Sequence, residues 1–315
     1  MSDKKILVLG GAGFIGSNIV ALLLEKNYQV TVIDGLMDRS GGSLTNLSAH
    51  KNLQVIKNPI EEIPEIASII SEHEIIIDCM AWTSHLAAIK DPAYDLKLNV
   101  QSHLKAIEYF TKKNRIIFFG SSGQYGAVKE QEILETTAFV PIDIQGIHKV
   151  TAENHYRFFS KAKGFAVTSL RIPNCFGLNQ KFEGDDLGLI ATMIKDAIEG
   201  KVIEVYGEQR KRSVLYAKDL SVITENIINK GIKDGFNAYN INGTSVTIKN
   251  LAEEIITVCK NGSCVVKDIP EHIKSIDFGG KPLNDNLIRS EYGEYSITDL
   301  SSALKETIKS YKIKK

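Results

Sequence analysis

Short runs of apolar, β-branched residues recur along the first half of the chain, and stretches with apolar residues at helical spacing separate them. Continuous apolar runs of this length predict buried strands, and the stretches between them predict helices that cover a sheet. Right-handed crossovers between such units give an α/β fold with a doubly wound (Rossmann) parallel sheet. The predicted strands are Lys5–Leu9, Val30–Ile33, Leu53–Ile56, Ile75–Ile77, Arg115–Phe119 and Gly164–Arg171, and the first predicted helix is Gly16–Lys26.

The pattern becomes looser after about residue 175. Helices are predicted there over Leu187–Glu199, Asp219–Ile228 and Ile248–Cys259, with short strands between them. In a doubly wound fold this part would cover the carboxyl ends of the strands, where ligands bind. We therefore expect a Rossmann domain over residues 1–175 and a smaller substrate-binding lobe over residues 176–315, interleaved with the first.

Composition and charge narrow the classes of partner. Hydrophobic residues make up 43% of the chain, and 38 acidic residues balance 38 basic ones, so we expect no nucleic-acid partner. No apolar run is long enough to cross a bilayer, and no signal-type segment precedes the first strand, which predicts a cytoplasmic protein without a membrane partner. The four cysteines form no cluster with histidines at zinc-ligand spacing, so no metal site is expected.

A glycine-rich turn joins the first predicted strand to the first predicted helix. Gly10, Gly13 and Gly16 allow the backbone to turn tightly and to approach a pyrophosphate at the helix N-terminus. Asp34 ends the second strand, where an acid accepts hydrogen bonds from the adenosine ribose and repels the extra phosphate of NADP. Turn, helix, strand and acid occur in the order that predicts NAD as the cofactor.

Several motifs resemble those of one enzyme family in their order along the chain. Val8–Gly16, Ser121–Gly126, Arg171–Gly177 and Tyr206–Arg212 are similar to consecutive motifs of the extended short-chain dehydrogenases, the NAD-dependent epimerase/dehydratase family. Asn99 and Asp219 also fall at positions that match the family pattern.

The resemblance implies a nucleotide-diphosphate sugar as substrate, and we expect a homo-oligomer, a dimer or tetramer. A subtype that we consider is the GDP-heptose 4-dehydrogenases of bacterial capsule biosynthesis, which would make the substrate GDP-linked. The cofactor contacts that follow are Gly10, Gly13, Phe14, Ile15, Gly16, Asp34, Asn58, Met80, Ala81, Lys149 and Ile172.

The catalytic residues that the resemblance implies are incomplete. Ser121 and Lys149 match the serine and lysine of the family, but Gln145 stands where the family has the tyrosine that removes the hydroxyl proton. A neutral amide forms hydrogen bonds but does not serve as a base. His148, on the same helix, and His85, in the loop after the fourth strand, are alternative bases because histidine titrates near neutrality.

The residues after Ser121 narrow the reaction. Family members that dehydrate or decarboxylate sugars carry acids there, whereas this chain has Ser122 and Gly123. Elimination is therefore not expected. Oxidation at a ring carbon, C4 above all, reduction, or 4-epimerisation through a ketone remains. Gln145 leaves a further alternative, a catalytically silent NAD-binding protein.

The substrate contacts that we predict lie on both halves of the chain. Ser121, Ser122 and Gly123 would contact the sugar, together with Asn174. A diphosphate requires charge-assisted donors, and arginine offers a planar fork, so Arg212 is the expected clamp. Arg289 is a candidate for a second clamp, although the family often has an arginine near a proline where this chain has Lys281 before Pro282.

Overall fold

The computed structural model describes residues 4–182, 187–274, 277 and 279–313. Its strands are β1 (Lys5–Leu9), β2 (Gln29–Ile33), β3 (Leu53–Ile56), β4 (Ile75–Asp78), β5 (Arg115–Ser121), β6 (Ala166–Ile172), β7 (Asn174–Phe176), β8 (Val202–Tyr206), β9 (Lys211–Tyr216), β10 (Phe236–Asn240), β11 (Thr244–Thr247) and β12 (Ser263–Lys267). Seven of them form one parallel sheet in the order β10-β6-β5-β4-β1-β2-β3. A second sheet has the order β11-β9-β7, and β12 pairs with β8.

Helices cover both faces of the large sheet and fill the C-terminal part. They are α1 (Phe14–Glu25), α2 (Ile66–Ser71), α3 (His85–Lys90), α4 (Pro92–Leu96), α5 (Ser102–Tyr109), α6 (Ile144–Lys163), α7 (Leu189–Ile198), α8 (Ala217–Lys230), α9 (Ile248–Cys259), α10 (Glu271–Lys274), α11 (Asn286–Tyr292) and α12 (Leu300–Ile313). A π-helical turn, Lys97–Gln101, joins α4 to α5.

The alternation of side chains along each strand explains why the strands are apolar throughout. Ile6 and Val8 of β1 pack in the core that α1 and α8 cover, whereas Leu7 and Leu9 pack in the core on the opposite face, with α2, α5 and α6. A strand that is buried on both faces needs apolar residues at every position. A third core joins α7, α9 and α12 to β8 and β9.

The predicted doubly wound sheet is confirmed, with small changes at the ends of elements. Gly164 does not belong to the sixth strand, because its φ of +78° makes it the left-handed cap of α6, and β6 begins at Ala166. The first helix begins at Phe14 instead of Gly16. No described helix has the length and apolar character that a membrane-spanning helix requires.

The seventh strand of the large sheet, β10, comes from the later part of the chain and pairs with β6. Phe236–Asn240 contains two asparagines, so the sequence has no apolar run that would predict this strand. The division of the chain at residue 175 into two lobes stays a proposal.

The carboxyl ends of the parallel strands meet along one edge of the large sheet. The chain leaves β1 toward β2 on one side, and β4 lies on its other side, so the strand order reverses between β1 and β4. Ligands of doubly wound sheets bind in the crevice at this point. The residues that follow the strands there are therefore the ones that build the site.

Candidate active site

The turn after β1 requires glycine at two positions. Gly10 has a φ of +71°, and a Cβ on it would lie 3.0 Å from the backbone of Cys79 and Met80. A Cβ on Gly16 would lie 2.4 Å from the carbonyl oxygen of Gly10. Gly13 precedes the first turn of α1, and no side chain caps this helix. The uncapped N-terminus presents amide groups to an anion, so the turn fits the pyrophosphate of a dinucleotide.

Asp34 holds this turn from the end of β2. Its Oδ2 accepts a hydrogen bond of 2.9 Å from the Ala12 amide, and its Oδ1 accepts one of 2.9 Å from the Leu36 amide. A carboxylate oxygen has two lone pairs, so each oxygen can still accept from a ribose hydroxyl. The carboxylate thus has a structural role besides the predicted contact with the cofactor.

The other predicted cofactor residues lie at the same edge of the sheet. Asn58 is exposed just after β3, Met80 and Ala81 follow β4, and Ile172 ends β6. Phe14 and Ile15 form the start of α1. Their contacts with NAD stay predictions.

Ser121 ends β5 and caps a short turn over Ser122–Gln124. Its Oγ accepts a hydrogen bond of 3.1 Å from the Gly123 amide, while Oε1 of Gln124 accepts one of 2.7 Å from the Ser121 amide. This reciprocal pair fixes the backbone of the loop that carries the predicted catalytic serine.

A buried polar network lies behind the serine loop. Glu153 accepts hydrogen bonds from Arg171, at 2.7 and 3.1 Å, and from Gln124, at 2.9 Å. Arg171 also donates to the Tyr125 hydroxyl, which donates to Asn240. The Tyr125 phenol is fully buried, and burial raises its pKa to about 12, which opposes its ionisation near neutral pH.

Lys149 and Gln145 lie one turn apart on α6, and both are buried. Nζ of Lys149 donates to the carbonyl oxygen of Phe119 at 3.0 Å. Burial lowers the pKa of Lys149 to about 8, although the charges of Asp78 and Asp95 oppose this change.

The amide of Gln145 points toward the loop after β4. Its Nε2 donates to the carbonyl oxygen of Trp82 at 2.9 Å. Asn99 holds the same residue, because its side chain accepts from the Trp82 amide at 3.0 Å and donates to the Trp82 carbonyl at 2.9 Å. Gln145 therefore acts as a hydrogen-bonding residue that fixes this loop against α6.

Both candidate histidines have a carboxylate on Nδ1. His148 lies 2.5 Å from the buried Asp95, and its side chain is 12% exposed. His85 bonds to Asp143, and its side chain is 47% exposed. Burial raises the pKa of Asp143, but the hydrogen bond and charge of His85 and the bond from the Gly146 amide outweigh it, so the carboxyl has a lowered pKa.

Three of the predicted substrate residues line one pocket. They are Ser122, Asn174 and Arg212, and Lys281 lines the same pocket. The remaining lining residues are Ile133, Pro173, Ser213, Gly279, Gly280 and Leu283. Two cations beside polar side chains make this pocket suited to a phosphorylated ligand.

Arg289 is not among the described residues that line this pocket. Its guanidinium donates to Asp285, Glu294 and the carbonyl oxygen of Tyr295, all on the same C-terminal segment. Lys281 lies in the pocket instead, and its ammonium donates to the carbonyl oxygen of Val128.

Asp277 is a functional candidate that the sequence pattern did not indicate. Its Oδ1 lies 2.7 Å from Arg212, and its Oδ2 bonds to Arg210. Burial raises the pKa of this carboxyl, but attraction by Arg212, the Gly279 amide and Arg210 lowers it. Asp277 is 65 residues from Arg212 in the chain, and no local signal predicts their pairing.

Within the described parts of the chain, no group of three or more histidine, cysteine, aspartate or glutamate residues could hold a metal ion.

Similarity to known proteins shows the family of the chain. The model of the NAD dependent epimerase/dehydratase family matches residues 6–241. The dTDP-4-dehydro-6-deoxyglucose reductase of Escherichia coli is 28% identical over 79% of this chain and 80% of its own length. The UDP-glucose 4-epimerase of Halalkalibacterium halodurans is 26% identical over 81% of this chain and 79% of its own.

A solved structure resembles the whole chain. The UDP-glucose 4-epimerase of Thermotoga maritima, crystallised with UDP-glucose, superposes with a TM-score of 0.86 at 28% identity, over 98% of this chain and 99% of its own.

Proposed function

Because the chain belongs to the NAD dependent epimerase/dehydratase family, we propose that it oxidises C4 of the sugar in a nucleoside-diphosphate sugar. NAD is the cofactor. When bound, it accepts the hydride that leaves the sugar carbon. Gly10, Gly13 and Gly16 with the start of α1 would hold its pyrophosphate, and Asp34 would bind its adenosine ribose.

One observation carries this proposal. The dinucleotide turn and the pocket of Ser122, Asn174, Arg212 and Lys281 lie at the carboxyl edge of the same sheet. A protein that only binds NAD has no need of an arginine and a lysine beside the serine loop, whereas a sugar diphosphate requires such donors. This arrangement supports an enzyme over a silent cofactor-binding protein.

A nucleotide-sugar 4-epimerase is the second candidate. Epimerisation begins with the same oxidation and then returns the hydride to the opposite face of the ketone. The UDP-glucose 4-epimerases among the similar proteins favour this candidate. The GDP-linked heptose and the role in capsule biosynthesis stay predictions from the sequence.

Incubation with NAD and a panel of UDP-, dTDP- and GDP-linked sugars tests the proposal. A dehydrogenase gives a 4-keto sugar and a stoichiometric rise in the absorbance of reduced nicotinamide. An epimerase converts UDP-glucose to UDP-galactose without net reduction of NAD. We expect no product that has lost water, because Ser122 and Gly123 offer no acid for elimination. A dehydrated 6-deoxy-4-keto product would contradict the proposal.

A further inference from the structure

Oxidation of a hydroxyl requires a group that takes the proton, and Gln145 does not do so. Tyr125 is also unsuited, because its hydroxyl lies in the interior between Arg171 and Asn240. Lys149 directs its ammonium to the carbonyl oxygen of Phe119. Of the two histidines that follow from the sequence, His148 is largely covered, whereas nearly half of the His85 side chain is exposed.

His85 is oriented by a carboxylate that is itself fixed. Asp143 is the N-cap of α6, and its Oδ1 accepts from the Gly146 amide at 2.7 Å. Its Oδ2 bonds to Nδ1 of His85, and the Asp143 side chain is only 5% exposed. With Nδ1 as the donor, Nε2 is the basic nitrogen of the imidazole, and Asp143 stabilises the imidazolium that forms when Nε2 takes a proton.

The His85–Asp143 pair lies next to other residues of the candidate active site. Gln145 is two residues after Asp143, and it bonds to the carbonyl of Trp82, three residues before His85. Gly146 lies so close to the serine loop that a Cβ on it would be 2.7 Å from the carbonyl oxygen of Gly123. The first turn of α6 thus holds the His85–Asp143 pair, Gln145 and the serine loop together.

We propose that His85, oriented by Asp143, is the general base that replaces the missing tyrosine. This inference rests on the proposed function. The O–H bond of the sugar C4 hydroxyl breaks, and its proton goes to Nε2 of His85. The C4–H bond breaks with its electron pair, which leaves as hydride to the nicotinamide of NAD, and the C4–O bond becomes a carbonyl. The sugar is oxidised and NAD is reduced.

Two substitutions separate the base from its orienting group. His85→Ala should lower kcat by about two to four orders of magnitude, the usual contribution of a general base. Added imidazole should restore much of this loss, since the side chain is exposed enough for a small base to enter. Asp143→Asn should lower kcat without imidazole rescue, and it keeps the helix cap because asparagine caps as well as aspartate. Asp143→Ser is a matched second variant that also retains a capping side chain.

Binding and spectroscopy give readouts that do not depend on turnover. Calorimetric titration of NAD and of UDP should give affinities within about twofold of the unmodified chain, which separates loss of the base from loss of the fold or the site. The Nδ1 proton of His85 should appear downfield in the proton NMR spectrum, and it should be absent in His85→Ala and shifted in Asp143→Asn.

The outcomes distinguish this inference from the proposed function. Full activity in His85→Ala, or loss of activity that imidazole does not restore in that variant, overturns the role of His85. Activity of Asp143→Asn at the level of the unmodified chain overturns the role of Asp143. If the unmodified chain oxidises or epimerises none of the sugars, the proposed function fails, and the role of His85 as its base falls with it.

Discussion

Gln145 forms a hydrogen bond in the candidate active site but does not act as a base. The side chain bonds to the Trp82 carbonyl, which Asn99 also holds. An amide at this position does not transfer a proton, but its hydrogen bond fixes the loop that leads to His85. The residue thus supports a base at another position instead of acting as one.

The variant Gln145→Tyr tests whether the base lies at a position other than 145. A phenol at this position would lie near Ser121 and Lys149, but it would lose the bond to Trp82. We expect turnover not to rise and to fall by about threefold to tenfold, the effect of one lost hydrogen bond of about 1 kcal/mol. Steady-state rates measure this, and Gln145→Leu, which also lacks the bond, should show a similar loss. A rise of about a hundredfold would assign the proton to the new phenol and contradict the His85 inference.

The end of β2 fixes the turn between β1 and α1, and both are proposed to contact the cofactor. Asp34 bonds to the backbone of the turn that would hold the pyrophosphate. The same carboxylate therefore shapes this turn and is also the proposed contact for the adenosine ribose. A substitution of Asp34 affects both the shape of the turn and the proposed contact with the ribose, so two different variants are needed to separate these effects.

We predict that the unmodified chain binds NAD far more tightly than NADP and that Asp34→Ala narrows this difference by about tenfold, or about 1.4 kcal/mol. The reason is that the variant removes the charge that repels the 2′-phosphate of NADP. Titration of both cofactors by calorimetry measures the ratio. Asp34→Asn keeps an acceptor for the Ala12 amide, so it should narrow the ratio with a smaller loss of NAD affinity. Equal affinities of the unmodified chain for the two cofactors would refute the argument.

Asp277 brings an acid beside Arg212 of β9, the expected phosphate clamp. Its carboxylate bonds to both Arg210 and Arg212 and partly neutralises the expected phosphate clamp. A bound diphosphate would contact the same arginines, and the Asp277 carboxylate would repel it.

Asp277→Asn should therefore tighten the binding of UDP by up to about tenfold, or about 1.4 kcal/mol, as measured by calorimetry. Glu271→Gln removes the same charge from an exposed residue in the neighbouring helix α10 and should leave the affinity nearly unchanged. Weaker binding in Asp277→Asn would mean instead that the carboxylate serves mainly to position Arg212.

Across the whole molecule, the parts that could be predicted from the sequence are those with a local signal. Strands such as Ile75–Asp78 are apolar at nearly every position because both faces are buried, and the glycines of the turn are spaced by the backbone that they form. The edge strand β10, Phe236–Asn240, lacks this signal, so the sequence does not predict it. The pairs that complete the site have no local signal at all, because His85 and Asp143 are 58 residues apart.

The buried hydrogen-bond network of Glu153 and Arg171 also connects residues that are far apart in the chain. It joins the serine loop, α6, β6 and β10 through Tyr125 and Asn240. Removing one member of a buried ion pair leaves the other charge without compensation and costs about 3–5 kcal/mol. We therefore expect Glu153→Ala to lower the free energy of unfolding in urea by about this amount.

Arg171→Leu removes the partner cation, and the double variant with Glu153→Ala should be less destabilised than the sum of the two single variants, because no unpaired charge remains. Urea unfolding followed by circular dichroism measures all four proteins of this cycle. The network also fixes the loop of Ser121, so the single variants should lose UDP affinity even where they remain folded. Additive losses would show that Glu153 and Arg171 stabilise the chain independently and that the network does not couple the sheet to the site.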